Sequence, residues 1–171
     1  MKKIFLLSLC CLASLLMANA QKFALIDMEY IMENIPEFQQ ANKKLNVASQ
    51  QYQKAIEAKV KEAETLYTAY QKASSSLTAA QRTQKEEAIV AKEREAADLR
   101  KKYFGPEGEM AQKEEALIAP IQNRIYEAVK QISIQKGYDA VIDRASATSI
   151  IFASPRIDIS NEVLSKLGYS N

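Results

Sequence analysis

From Asn34 to Lys136 the chain holds only two glycines, Gly105 and Gly108, and three prolines, while alanine, glutamine, glutamate, lysine and leucine dominate. These residue types cost a helix least, so a stretch of this length is confined to long helices. Phe38, Ala41, Leu45, Ala48, Tyr52 and Ala55 recur in alternating steps of three and four, the spacing of a coiled-coil seam. Asn34-Ile35-Pro36-Glu37 reads as the start: asparagine can cap, proline is preorganised for the first turn, and Glu37 favours the positive end of the helix dipole. A helix with such a seam needs a partner.

The seam continues less regularly through Val60, Ala63, Tyr67 and Tyr70 and reaches Ser74-Ser75-Ser76-Leu77-Thr78, where serines can break the helix and Thr78 can cap a new one. Residues 34–73 and 78–119 are then arms of matched length, each roughly 60 Å long at the helical rise, and imply an antiparallel hairpin. The competing version runs one helix through the serines, which cost only ~0.5 kcal/mol each relative to alanine, and turns at Gly105-Pro106-Glu107-Gly108. That version sets a very long arm against a short one, so the serine apex is favoured and Gly105–Gly108 becomes a bulge or kink in the returning arm. The seam is rich in alanine, which buries little area at about 25 cal/mol per Å², so the arms should hold together weakly and bend.

The ends differ. Phe23-Ala24-Leu25-Ile26-Asp27, Tyr138-Asp139-Ala140-Val141-Ile142 and Ser149-Ile150-Ile151-Phe152-Ala153 read as three strands. Residues 28–33 suit a short helix, and a last helix should start near Asp158 or Ser160 and pass through Val163 and Leu164 to Leu167. The returning arm gains a dense apolar stripe at Leu117, Ile118, Ile121, Ile125, Val129 and Ile132, which calls for a true core, and Gly137 can end that helix with a left-handed cap.

The expected class is mainly α with a small β body: a long antiparallel helical hairpin (residues 34–119, apex near 74–78) projecting from a short-stranded oligomerisation domain (residues 21–33 and 120–171). Small bodies of this kind enclose too little apolar volume alone. Both faces of the first strand are apolar and want cover, which predicts an obligate homo-oligomer held through Phe23, Leu25, Ile26, Ile121, Ile125, Val141, Ile142, Ile151 and Phe152.

The chain opens with Met1, Lys2 and Lys3, is apolar from Ile4 to Met17 apart from Ser8, Ser14, Cys10 and Cys11, and reaches Ala18-Asn19-Ala20. This is the pattern of a secretory signal cleaved after Ala20, and the apolar run is shorter than the ~20 residues that span a bilayer. Both cysteines would leave with it. Losing Lys2 and Lys3 from 23 basic residues balances them against 21 acidic ones, so the processed chain is formally neutral and lacks the basic footprint of nucleic-acid binding.

With no histidine and, after processing, no cysteine, the commonest general base, the thiolate nucleophile and most transition-metal ligands are missing. The expectation is a protein that is not an enzyme and has no metal and no cofactor.

The order of parts resembles the Skp/OmpH family of periplasmic chaperones. The resemblance rests on Phe23-Ala24-Leu25-Ile26-Asp27, Ile35-Pro36-Glu37, the Ala/Gln/Lys-rich hairpin, Leu117-Ile118-Ala119-Pro120-Ile121, Gly137-Tyr138-Asp139-Ala140-Val141-Ile142-Asp143, Ala153-Ser154-Pro155 and Asp158-Ile159-Ser160-Asn161-Glu162-Val163-Leu164. It implies a periplasmic homotrimer whose strands assemble into a β body, with helical arms around a cavity that holds unfolded outer-membrane proteins without ATP. The absence of a G-x-x-x-x-G-K-[ST] phosphate loop agrees with that. Family members are often strongly basic, and this chain is not.

Charge is nonetheless unevenly spread: between Glu64 and Glu86 there is no acidic residue, while Lys72, Arg82 and Lys85 are basic, so the hairpin tip should be positive and could meet acidic clients or an anionic membrane surface. Tyr52, Tyr67, Tyr70, Tyr103 and Phe104 are the large side chains on the arms and, with Leu77 and the three basic tip residues, the candidates for client contact. Packing within the coil is the competing role for each aromatic. At the level of the whole protein the competing readings are a structural coiled-coil spacer or scaffold of the cell envelope, which has no need of strands and a heavy apolar stripe at one end, and an efflux-type adaptor hairpin, for which the strands are too few.

Overall fold

The computed structural model describes residues 21–147 and 149–169. The signal segment expected over residues 1–20, its cleavage after Ala20 and its two cysteines lie outside the described residues. In chain order the elements are strand β1 (Phe23–Ile26), helix α1 (Met28–Glu33), helix α2 (Pro36–Ala73), a 3-10 turn (Ser74–Ser76), helix α3 (Ala79–Phe104), helix α4 (Glu109–Lys136), strand β2 (Ala140–Asp143), a second 3-10 turn (Pro155–Ile157) and helix α5 (Ser160–Lys166). The chain is mainly helical with a small sheet, the class its sequence implied. Among the described residues no helix is long and apolar enough to cross a membrane. Two compact units divide it: residues up to Asn34 together with those from Arg124 onward, and Ile35–Asn123.

The first unit contains the sheet. β1 and β2 pair in parallel, Phe23 opposite Ala140 and Ile26 opposite Asp143. Parallel pairing requires a long connection, and the helices between the strands supply it. Asp27 ends β1 and caps α1, its carboxylate accepting from the Tyr30 amide at 2.9 Å. The core is built from Ala24, Leu25, Ile26, Ile31, Ile125, Ala128, Ile132, Val163 and Leu164, all buried. The α4 contribution follows steps of three and four, one helical face; it takes in Ala128, and Val129 is only half-buried. Gly137, at φ 68°, ends α4 as expected, and the Tyr138 amide reaches back to the Ser133 carbonyl at 3.0 Å to close the cap.

Of the three expected strands, the third is not formed. Residues 149–153 carry no strand, Ile151 is fully exposed and Phe152 is 85% exposed. A strand exists only where a neighbour takes its amides and carbonyls. Within one chain the second edge of β1 is taken by a bridge from Leu25 to Asp158, with the Ile159 amide on the Leu25 carbonyl at 2.9 Å. Both faces of β1, read as apolar and in need of cover, are covered within the chain at Ala24, Leu25 and Ile26, and of the four strand residues only Phe23, at 46%, remains open.

The second unit contains the hairpin. α2 starts at Pro36, but its cap position is Ile35, extended at φ −100° and ψ 115° as a residue before proline tends to be. Asn34, expected to cap, instead closes α1, its amide on the Tyr30 and Ile31 carbonyls. α2 runs to Ala73, where the Ser74 and Ser76 hydroxyls donate to the Gln71 and Ala73 carbonyls at 2.9 and 2.8 Å, satisfying acceptors that a helix end leaves open. Thr78 and Gln81 then form a reciprocal capping box that opens α3. The chain turns at the serines, and α3 packs back on α2.

Two details of the returning arm differ from expectation. Gly105–Gly108 is a complete break between α3 and α4 rather than a bulge, because Pro106 cannot continue the helix and the backbone packs closely at both glycines. A Cβ at Gly105 would lie 2.4 Å from the Lys101 carbonyl oxygen, and one at Gly108 would lie 2.9 Å from three backbone atoms. Conversely Pro120, expected to mark the end of the arm, sits inside α4. It removes one ladder hydrogen bond, which the flanking turns tolerate.

Candidate functional site

The hairpin is where the arm residues singled out in the sequence lie, and it falls into zones. At its tip, Tyr70 donates to the Glu86 carboxylate, and that bond raises the Tyr70 hydroxyl above its ordinary pKa of 10.0. Leu77 and Lys85 line a shallow groove of about 380 Å³ with Leu66. Lys72 and Arg82 are exposed and do not join it. Tyr67, 50% exposed, lines a second groove of about 420 Å³ with Val60 and Arg100.

Midway along the arm the seam departs from an apolar pattern. Ile56, Ala63, Ile89 and Ala96 are buried, but between them Lys59 and Lys92 turn toward the facing helix. Each ammonium meets both Glu62 and Glu95, at 3.1–3.3 Å, in a four-membered network that ties α2 to α3. Such a polar layer selects one register of a coiled coil against its slipped alternatives. All four side chains are 30–46% exposed, so the network contributes more to register than to total stability.

The hydrogen bonds from Lys92 and Lys59 hold Glu62 and Glu95 below their ordinary value of 4.5, and those carboxylates hold Lys92 above 10.5. For the glutamates, the stabilisation is complete above 4.5 and is lost as pH falls through their lowered values. For Lys92 it is complete below 10.5 and is lost as pH rises through its raised value. The melting temperature of the hairpin, followed by helical circular dichroism, is therefore expected to be flat between these limits and to fall beyond each. Lys92→Met should flatten the alkaline fall and reduce the acid one.

Next to the break three aromatic residues converge. Tyr52 stacks on Tyr103 with ring centroids 4.1 Å apart and meets Phe104 edge-on at 6.2 Å. Glu109, the first residue of α4, accepts a hydrogen bond from the Tyr52 hydroxyl and pairs with Lys102 at 3.4 Å. Those contacts push Tyr52 above its ordinary pKa and hold Glu109 below the usual carboxylate value. One acid thus ties the start of α4 to both α2 and α3. The sequence reading placed Tyr52 in the seam but missed Glu109 and the two seam lysines, whose roles depend on which residues face them across the hairpin.

Beyond the break, α2 and α4 border an open groove of about 820 Å³. Among the described residues no cluster of carboxylates, histidines or cysteines could hold a metal ion.

The chain has relatives among known proteins. The sequence profile of the outer membrane protein family termed OmpH-like matches residues 22–167. The chain belongs to the OmpH-like family. The match takes in both strands and every described helix of this OmpH-like protein. A relative named Chaperone protein Skp, from Yersinia enterocolitica, is 28% identical over 156 residues, spanning 91% of this chain and 92% of its own. A crystal structure of an OmpH-like protein from Caulobacter crescentus CB15 superposes with a TM-score of 0.65 over 86% of this chain and 83% of the other. At 12% identity that superposition shows a shared fold.

Proposed function

We propose that this OmpH-like protein is an ATP-independent holdase chaperone of the periplasm, which as a homotrimer holds unfolded outer-membrane proteins between its helical arms. The observation that carries this reading is the hairpin itself: two long helices joined at a capped serine turn over a seam of alanines and a charged layer. Such a pair buries little area per residue, bends at low cost, and presents several shallow grooves in place of one deep pocket. A surface of that kind suits many weak apolar contacts with chains of differing sequence, and several arms on one client raise overall affinity without any new contact. The kinship with a protein named a chaperone supports the same reading.

The trimer rests on separate ground. Phe23, Ile142, Ile151 and Phe152 are exposed in the single chain at 46%, 40%, 100% and 85%, and this is more apolar surface than a small unit leaves uncovered without reason. Val141 is half-buried and Leu25, Ile26 and Ile125 are already buried within the chain, so the exposed four carry the association. Ile121 is buried in the Ile35–Asn123 unit.

The test is aggregation of a urea-unfolded outer-membrane protein after dilution, followed by light scattering with and without the processed chain and with no nucleotide. Suppression at stoichiometric trimer is expected. Unchanged scattering would leave the envelope spacer as the better account.

A further inference from the structure

The groove beside the helix break has a composition that the hairpin's own packing leaves unused. Its floor is apolar, with Val47, Leu117 and the ring of Tyr52, and Val47 is 54% exposed although it lies between two seam positions. Its walls carry Lys43, Lys44 and Lys113. Among the described residues these three are in no ion pair, unlike Lys59, Lys92 and Lys102 along the same hairpin; Lys113 feels Glu109 only through space, and other lysines of the hairpin are likewise unpaired but do not border this groove. The one acid at the groove, Glu109, is already engaged by Tyr52 and Lys102. The groove is therefore bordered by three ammonium groups beside partly exposed apolar side chains, and among the described residues its one carboxylate is already engaged.

On the holdase reading, we propose that this groove is a client subsite that takes an extended segment in which carboxylates flank large apolar side chains. The apolar side chains would rest on Val47, Leu117 and the Tyr52 ring, and the carboxylates would meet Lys43, Lys44 and Lys113. The dimensions suit a strand: residues 43–52 of α2 extend about 15 Å at 1.5 Å per residue, the length of roughly four to five residues of extended chain. An exposed ion pair is worth a few-fold at most, so three together set a preference of roughly tenfold and not an absolute requirement. The preference fades with salt, since these charges lie in water.

The test uses the whole processed chain and three fluorescein-labelled ten-residue peptides: aspartate alternating with leucine and phenylalanine, the same with lysine for aspartate, and the same with serine for the apolar residues. Fluorescence anisotropy is expected to give roughly tenfold tighter binding of the acidic apolar peptide than of either other. The neutral variant K43Q/K44Q/K113Q should bind the acidic and basic apolar peptides about equally, and K43E/K44E/K113E should prefer the basic one. Both variants should keep the native mass and helical circular dichroism of the parent; if the reversal variant loses them, the neutral variant alone decides. An undiminished acidic preference in the neutral variant overturns the subsite. So does equal binding of the serine peptide, which would mean charge without an apolar floor. A third contrary result is loss of binding to anionic phospholipid vesicles in the variants with peptide preference intact, which would assign the lysines to a membrane surface. Aggregation suppression separates the levels: a parent chain that fails to suppress it removes the holdase reading, whereas suppression with unchanged peptide preference in the variants removes the subsite only.

Discussion

Gly108→Ala is expected to cost the hairpin about 2–3 kcal/mol, near the upper end of what an overpacked methyl exacts. The added Cβ would lie 2.9 Å from the Gly105 nitrogen, the Lys102 carbonyl oxygen and the Tyr103 carbonyl carbon. All three are backbone atoms, so no side chain can swing aside. Relief requires opening the four-residue turn, and opening it displaces Glu109 from Tyr52 and Lys102 and loosens the Tyr52–Tyr103 stack. Urea unfolding followed at 222 nm should report the loss as a lower midpoint. Tyrosine fluorescence should change before the helix signal does, because the aromatic cluster lies at the altered turn. A midpoint within error of the parent would mean that the break adjusts freely and that its glycines are not required by packing. Tyr52→Phe separates the contributions: it keeps the stack and removes only the hydroxyl on Glu109, and its cost should be a fraction of that of Gly108→Ala.

The same region marks where sequence stops being informative. The apex was readable because its signals are local: serine hydroxyls that take up carbonyls at a helix end, and a threonine followed three residues later by a glutamine, act within one turn. Gly137 was readable for the same reason. The charged layer was not, since a lysine at a seam position looks like an irregularity until the facing helix brings Glu62 beside Lys92 and Glu95 beside Lys59. Glu109 belongs to this class, as its partners come from two other helices. Val47 did leave a trace, an apolar residue out of phase between Leu45 and Ala48, but the groove it floors is made by α2 and α4 together. Pro120 misled because one lost hydrogen bond in a long helix weighs less than the packing of the residues after it, Ile121, Ile125, Ala128 and Ile132.

The unformed third strand leads to the other large effect. Replacing both Ile151 and Phe152 with aspartate is expected to abolish association of the chain while leaving its helices intact. The sequence over 149–153 has every intrinsic mark of a strand, yet the single chain offers it no edge: Asp158 and Ile159 occupy one side of β1, and β2 lies on the other. On the proposed trimer, its neighbour is an edge in another copy. β2 still has an edge with no strand on it among the described residues, and Ile142 on that strand and Phe23 on β1 are open to solvent. Burying an isoleucine and a phenylalanine in an interface contributes about 3–6 kcal/mol per subunit. At about 1.4 kcal/mol per tenfold, losing that alone weakens each contact by more than a hundredfold, before the cost of bringing two carboxylates near an apolar edge. Within the chain both side chains are largely or wholly exposed, so the substitutions remove no contact that the isolated subunit relies on. Native mass spectrometry of the processed variant at micromolar concentration should therefore find single subunits with parental helical content, against the three copies expected of the parent on the proposed trimer. A variant that still assembles would mean that this segment is not what joins the subunits, and the search for the interface would move to the exposed Tyr126 and Ile134 on α4.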